Sequence, residues 1–298
     1  MSKTVDLELN EIGVEAAAGL REMLKSAING TPVAMYSTSE PISWKEFSDG
    51  GWDVIGVAEN DGGAGASLRD LVAIGHTWGQ FVLPSPLITT MMAKRFSAAA
   101  RNFDGPVSFA IRTRSSADLG IIPFGSFSET KVLKNLTGGS DSLVSVNELT
   151  ALNDDYADSL RLAEGSLDTE FTKEAAEELA LVWSAEAAGA AFAMLNMAVE
   201  YVKSREQFGQ PIGKFQIIKH YLADAQMLVE LAETATIMGA LDATKRKDSA
   251  IYAFDAAIKV IETAIQVHGG LGFTWEMGIH VYLRHATALR DLALEILN

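Results

Sequence analysis

The chain has no cysteine among its 298 residues, which excludes disulfides, thiolate catalysis and thiolate metal sites. It is also short of cations: 24 Lys and Arg stand against 39 Asp and Glu, a formal net charge of −15. That balance excludes the basic face on which a nucleic-acid binder depends. An anionic cofactor remains compatible, because a local group of positive side chains outweighs a screened, distant acidic surface. Long apolar runs are few: the uncharged, apolar-looking run Ala187–Val199 falls below the ~20 residues of a spanning helix. The N-terminal MSKTVDLELN lacks the apolar core of a signal peptide. We therefore expect a soluble, cytoplasmic protein with no membrane contact. The five histidines, His76, His220, His268, His280 and His285, form neither an i, i+4 pair nor an HExxH, so no metal site is expected.

What is present points to helix. There are only 7 prolines, and Ala, Leu, Met and Glu dominate long runs. The length suits two or three domains, and three textures follow one another. Residues 1–104 read as a helical N-terminal domain: Leu20, Met23 and Leu24 fall at i, i+3, i+4, and Leu68, Leu71, Val72 and Gly75 share one face. Ser67 is a candidate cap for the second of these helices, with Asp70 three residues on. Residues 105–167 mix Val, Ile, Phe and Leu with Gly, Ser and Asn at short spacing, a reduced β domain of small strands. Residues 168–298 predict a four-helix bundle. Its helices are expected over about Thr169–Lys203, Phe215–Lys247, Ser249–Val267 and from Glu276 onward. The first should bury a stripe of Leu179, Val182, Trp183, Ala190, Met194, Met197 and Tyr201.

Three features carry chemistry. At YVKSREQFGQPIGKFQ (Tyr201–Gln216), Arg205 follows a helix end and the loop is pinned by Gly209, Pro211 and Gly213. An arginine at a helix C-terminus often only complements the helix dipole. Here Phe208 and Phe215 flank it and Gln207 and Gln216 stand beside it. A planar guanidinium fork suits phosphate oxygens, and an aromatic suits a flat heterocycle. In IQVHGGLGF (Ile265–Phe273), Gly269 and Gly270 either cap a helix or expose successive amides to an anion, with Gln266 alongside. Glu186 places a carboxylate on the apolar stripe. It is either a buried, paired glutamate or a desolvated base.

Together these segments resemble the acyl-CoA dehydrogenase family across essentially the whole chain. GWDVIGVAENDGGAG resembles that family's "GW…G…PE..GG.G" loop, REQFGQPIGKFQ its "R..FG.PI..FQ" signature with LAD at Leu222–Asp224 following, and QVHGGLGF its "Q..GG.G" signature. The resemblance implies a mainly α fold: a helical N-terminal domain, a small β domain and a C-terminal bundle that builds oligomers. It implies FAD as cofactor, an acyl-CoA substrate oxidised to the 2-enoyl-CoA, and electron-transfer flavoprotein as acceptor. By position it assigns Arg205 and Gln207 to the pyrophosphate region of a neighbouring subunit's FAD. Phe208, Phe215 and Gln216 go to its adenine side, and Gln266, Gly269 and Gly270 to its diphosphate.

The departures are as informative. Neither "TEP.AGSD" nor "W[IV][ST]", which hold flavin ring and substrate in the family, occurs between Gly105 and Ser166. The two positions where members carry the catalytic glutamate fall on Leu179 and Ala293, both apolar, and Glu178 is one residue, roughly 100°, off. This pattern, with HVYLRHA at His280–Ala286, resembles the short subunits of heteromeric acyl-CoA dehydrogenases of actinobacterial steroid catabolism. That likeness implies a heterotetramer with a larger catalytic subunit whose FAD site this chain completes. The alternative is a self-sufficient homo-oligomer with Glu186 as a relocated base, although Glu186 lies about 10 Å along the helix from Leu179.

Overall fold

The computed structural model describes residues 11–28, 42–114, 116–126, 129–135, 141–145, 150–151, 158–274 and 277–298. The N-terminal decapeptide, and Glu276 where the last helix was expected to begin, lie outside them.

Local rules account for the N-terminal helices. Helix α1 (Glu11–Ile28) buries Leu20 and Leu24 and leaves Val14 exposed. The short α2 (Trp44–Asp49) starts at Ser43, whose amide donates to the Glu46 carboxylate at 2.8 Å. Helix α3 (Leu68–Gly79) starts with the reciprocal cap expected at Ser67: its amide donates to Asp70 Oδ2 at 2.8 Å and the Asp70 amide donates back to Ser67 Oγ at 3.3 Å. The Ser67 hydroxyl also donates to the Asp70 carboxylate, at 2.6 Å, as the Ser43 hydroxyl does to Glu46 at 2.8 Å. The predicted face Leu68, Leu71, Val72 and Gly75 is buried. Helices α4 (Leu87–Phe96) and α5 (Ala98–Arg101) follow.

The middle of the chain folds into strands too short for a free-standing core. Strands β1 (Val107–Phe109), β2 (Ile111–Thr113), β3 (Ser116–Ile122), β4 (Lys131–Leu133), β5 (Leu143–Ser145), β6 (Thr150–Ala151) and β7 (Ala163–Gly165) form two sheets. One has the order β1-β4-β5 with β1 and β4 parallel; the other, β2-β3-β7-β6, is antiparallel.

The C-terminal part is a bundle of α6 (Lys173–Ser204), α7 (Gln216–Leu241), α8 (Arg246–His268) and α9 (His280–Ile296). A hairpin of β8 (Glu206–Gln207) and β9 (Gln210–Pro211) joins the first two. Helix α6 is apolar and long enough to pass for a membrane span, but 89% of its apolar window is buried inside the protein. From Ala175 to Ala191 it is buried on every side, so its core contacts exceed the narrow stripe read from periodicity. At the other end that stripe fails, because Met197 is 36% exposed. Two boundaries also shift. The second bundle helix stops at Leu241 rather than Lys247, because the Asp242 carboxylate accepts from the Thr244 amide (3.0 Å) and hydroxyl (2.6 Å) and opens a new turn. Helix α8 consequently starts at Arg246, ahead of the expected Ser249.

Helices α3 and α6 cross in backbone contact. A Cβ on Gly79 would collide with the Glu186 carbonyl, and one on Gly189 with the His76 carbonyl. Gly189→Ala must therefore push two helices apart. We expect a loss of about 1–3 kcal/mol, read as a lowered thermal midpoint. Gly270→Ala, where a Cβ meets nothing within 4 Å, should leave the midpoint nearly unchanged.

Candidate functional site

Helix α6 ends at Arg205, which turns to an extended conformation (φ −74°, ψ 117°) and accepts from the Ile212 amide at 2.8 Å. Gln207 pairs with Gln210, so the hairpin turn is Phe208–Gly209, with φ of 53° and 78°. Two positive φ values define the turn that matches strand twist. Glycine takes this conformation freely, but for phenylalanine it costs about 1–3 kcal/mol. Phe208 nevertheless stands 93% exposed and meets Phe215 edge-on at 6.1 Å. Alternation along the strand places Arg205 and Gln207 on one face and Glu206 on the other.

The bundle brings the second glycine segment to the same end. Tyr201, in the last turn of α6, stacks on His268 at the end of α8, rings 4.5 Å apart, and its hydroxyl donates to the His268 carbonyl at 3.4 Å. The 205–216 junction and the 266–270 segment thus lie side by side. Gly269 has φ 62° and ψ −141°, a combination closed to side chains, and a Cβ on Gly269 or Gly270 would meet nothing. Gln266, Gly269 and Gly270 are exposed, as are Arg205, Gln207 and Gln216; Phe215 is half-buried. Gln207 Nε2 donates to the Glu206 carbonyl at 2.6 Å, and Gln216 meets His220 at 3.2 Å. Arg205 makes no ion pair among the described residues. The set is one guanidinium, three carboxamides and open backbone amides beside two aromatic rings. That chemistry fits a diphosphate joined to a flat heterocycle; it offers no base.

The two positions where the family resemblance puts a glutamate are closed: Leu179 is 1% and Ala293 0% exposed. Glu178 faces instead into a buried cluster that sequence reasoning missed. Arg95 Nε donates to it at 2.9 Å and Arg246 Nη1 lies at 3.4 Å. Arg95 also donates to the carbonyls of Gly56 (2.9 Å) and Ala66 (3.2 Å), pinning the glycine-rich loop. Glu186 is 2% exposed, with Oε1 2.9 Å from His285 Nε2; His285 Nδ1 lies 2.9 Å from the Ser159 hydroxyl. It is a buried, paired glutamate, and its partner is a histidine on α9. A second buried pair, Lys94 with Asp53 at 2.5 Å, went unread as well. No local period foreshadows any of these pairings.

A helical chain with the exposed Arg205–Phe208 edge at one end of a four-helix bundle defines the class. Residues 170–292 match the model of the acyl-CoA dehydrogenase C-terminal domain. The chain is 32% identical, over 92% of its length, to acyl-CoA dehydrogenase FadE34 of Mycobacterium tuberculosis, and spans 42% of that relative. The Tcur3481-Tcur3483 steroid ACAD superposes with a TM-score of 0.79 at 20% identity, covering 97% of both chains. The ChsE4-ChsE5 complex from Mycobacterium tuberculosis gives 0.77 at 19% identity, covering 98% of this chain and 94% of that one. The fold is that of the acyl-CoA dehydrogenases, and residues 170–292 form an acyl-CoA dehydrogenase C-terminal domain.

Proposed function

We propose that this chain is the non-catalytic subunit of a heteromeric FAD-dependent acyl-CoA dehydrogenase, completing the FAD site of a larger catalytic subunit. The observation that carries the reading is the exposed Arg205–Phe208 edge in a chain whose own base positions are Leu179 and Ala293. Arg205 and Gln207 would hold the pyrophosphate, Phe208, Phe215 and Gln216 the adenine side, and Gln266 with the Gly269 and Gly270 amides the diphosphate. Bound there, FAD supplies a hydride acceptor for the β-carbon of an acyl-CoA, while the α-proton goes to a glutamate of the catalytic subunit. An electron-transfer flavoprotein would be the electron acceptor.

Helix α7 supports a partner surface. Ile217, Tyr221, Met227 and Leu231 are 57, 44, 55 and 40% exposed and fall within about a third of the helix circumference. Ala225, Val229 and Ala232 are buried on a second face, roughly 100° further round the helix. A helix apolar on both faces is covered by something. The two-protein complex among the structural neighbours supports a heteromer, and the steroid ACAD supports a steroid-derived acyl group. For a self-sufficient homo-oligomer, Glu186 would have to act from the core beside His285, a poor place to reach a substrate proton. Expressed alone, the chain should be colourless or insoluble. Co-expressed with its partner it should give a yellow complex with half a flavin per chain, measured by absorbance against protein. A yellow, active homo-oligomer would overturn the proposal.

A further inference from the structure

The last turn of α6 touches both halves of the proposed flavin edge, through two adjacent residues. Val202 packs on the hairpin side: a Cβ on Gly213 would meet the Val202 carbonyl at 3.0 Å and its side chain at 3.1 Å. The hairpin is closed on itself by the Ile212 amide, which donates to the Arg205 carbonyl at 2.8 Å. Residues 205–213 therefore move with the end of α6. Tyr201 turns the other way, to α8. Its ring stacks on His268 with centroids 4.5 Å and planes 27° apart, and its hydroxyl donates to the His268 carbonyl at 3.4 Å.

Two observations make this contact more than packing. His268 is 3% exposed and is the last residue of α8, directly before Gly269 and Gly270. Its Nδ1 donates to the Ala264 carbonyl one turn back, at 2.7 Å, which fixes the plane of the ring that Tyr201 meets. The glycine segment thus departs from an anchored residue. Secondly, among the described residues no hydrogen bond, ion pair or ring contact runs directly between 205–216 and 266–272. The two segments are set against each other through Tyr201 and His268.

A dinucleotide gripped by both segments gains from both only while their spacing is held, to within about 0.5 Å in a working site. Helix ends lack onward backbone bonds and do not supply that spacing by themselves. An aromatic stack does, because it has a preferred separation and offset that aliphatic pairs lack. We propose that Tyr201 and His268 are positioning residues, whose stack sets the distance between the Arg205 junction and the Gly269–Gly270 segment and so the affinity for FAD. They act through the groups on either side, and the proposal rests on the flavin-site reading above.

The test compares ring-removing with ring-keeping variants of the co-expressed complex, stripped of flavin and titrated with FAD by fluorescence. Tyr201→Leu and His268→Leu should each weaken FAD about three- to tenfold, the range of an aromatic pair. Tyr201→Phe keeps the stack and gives up only a long hydrogen bond, so it should restore most of the wild-type affinity. The double leucine variant should lose no more than the worse single one, because the two rings form one contact. Riboflavin, which carries the flavin ring without phosphate or adenine, should bind all of these complexes as it binds wild type. FAD and riboflavin weakened together, no rescue by phenylalanine, additive losses in the double variant, or leucine variants with unchanged FAD affinity would each overturn the proposal. The leucine variants approach the contact from opposite sides, so one that does not fold leaves the other to decide. Arg205→Ala is the reference. If it releases flavin while the leucine variants keep it, the positioning role falls and the subunit reading stands; if none of them releases flavin, both fall.

Discussion

Glu178→Ala is expected to lower stability by about 3–5 kcal/mol, the range for removing one partner of a buried ion cluster. The carboxylate is 3% exposed and lies between Arg95 and Arg246, whose side chains are 23% and 10% exposed. Without it, two guanidiniums drawn from α4 and α8 are left facing one another with nothing between. The damage spreads, because Arg95 also holds the carbonyls of Gly56 and Ala66; a loosened Arg95 frees the loop that follows α2. Glu178→Gln keeps a hydrogen-bond acceptor and should lose less. The measurement is the urea midpoint of the complex at unchanged slope, with hydrogen exchange across residues 56–66 rising in the alanine variant. A loss below about 1 kcal/mol would mean that the cluster contributes no more than a surface pair.

Legibility in the sequence followed the range of each interaction. The Ser67–Asp70 cap, the α3 face and the four bundle helices depend on neighbours within a few positions, and they were readable. So was the junction, since Arg205, Phe208 and the glycines sit in one stretch. That Phe208 itself takes a left-handed turn position was not, because phenylalanine has no turn preference of its own. The pairs Glu178–Arg95, Glu186–His285 and Ser159–His285 join residues 83, 99 and 126 positions apart; no period or motif announces them. The central stretch of α6 hid its role for another reason. A helix covered on all sides has no polar face to set a phase against, so the stripe drawn through Met197 was one of several that fitted. A cavity at Trp44 draws its walls from five separate segments, and its orphaned indole is visible only once they meet.

Arg205→Ala should strip flavin from the co-expressed complex while leaving the protein's fold alone. Arg205 is exposed and makes no ion pair among the described residues, so truncating it removes nothing the chain itself relies on, and the thermal midpoint of flavin-free protein should hold. Its worth arises only when a phosphate takes up the guanidinium and the pair is withdrawn from water. A charge-assisted hydrogen bond in that setting corresponds to about 10- to 100-fold in affinity. Arg205→Lys keeps the charge and loses the fork, so it should recover only part of that. Gln207→Ala removes a neutral donor and should cost less than tenfold. Flavin per heterotetramer after gel filtration, and the flavin dissociation constant by fluorescence, read these out. Raising the salt should narrow the gap between wild type and Arg205→Ala, because the interaction is partly screened. Should all three variants retain full flavin, Arg205 is no more than the cation at the end of α6, and the edge it shares with Phe208 binds something other than a dinucleotide.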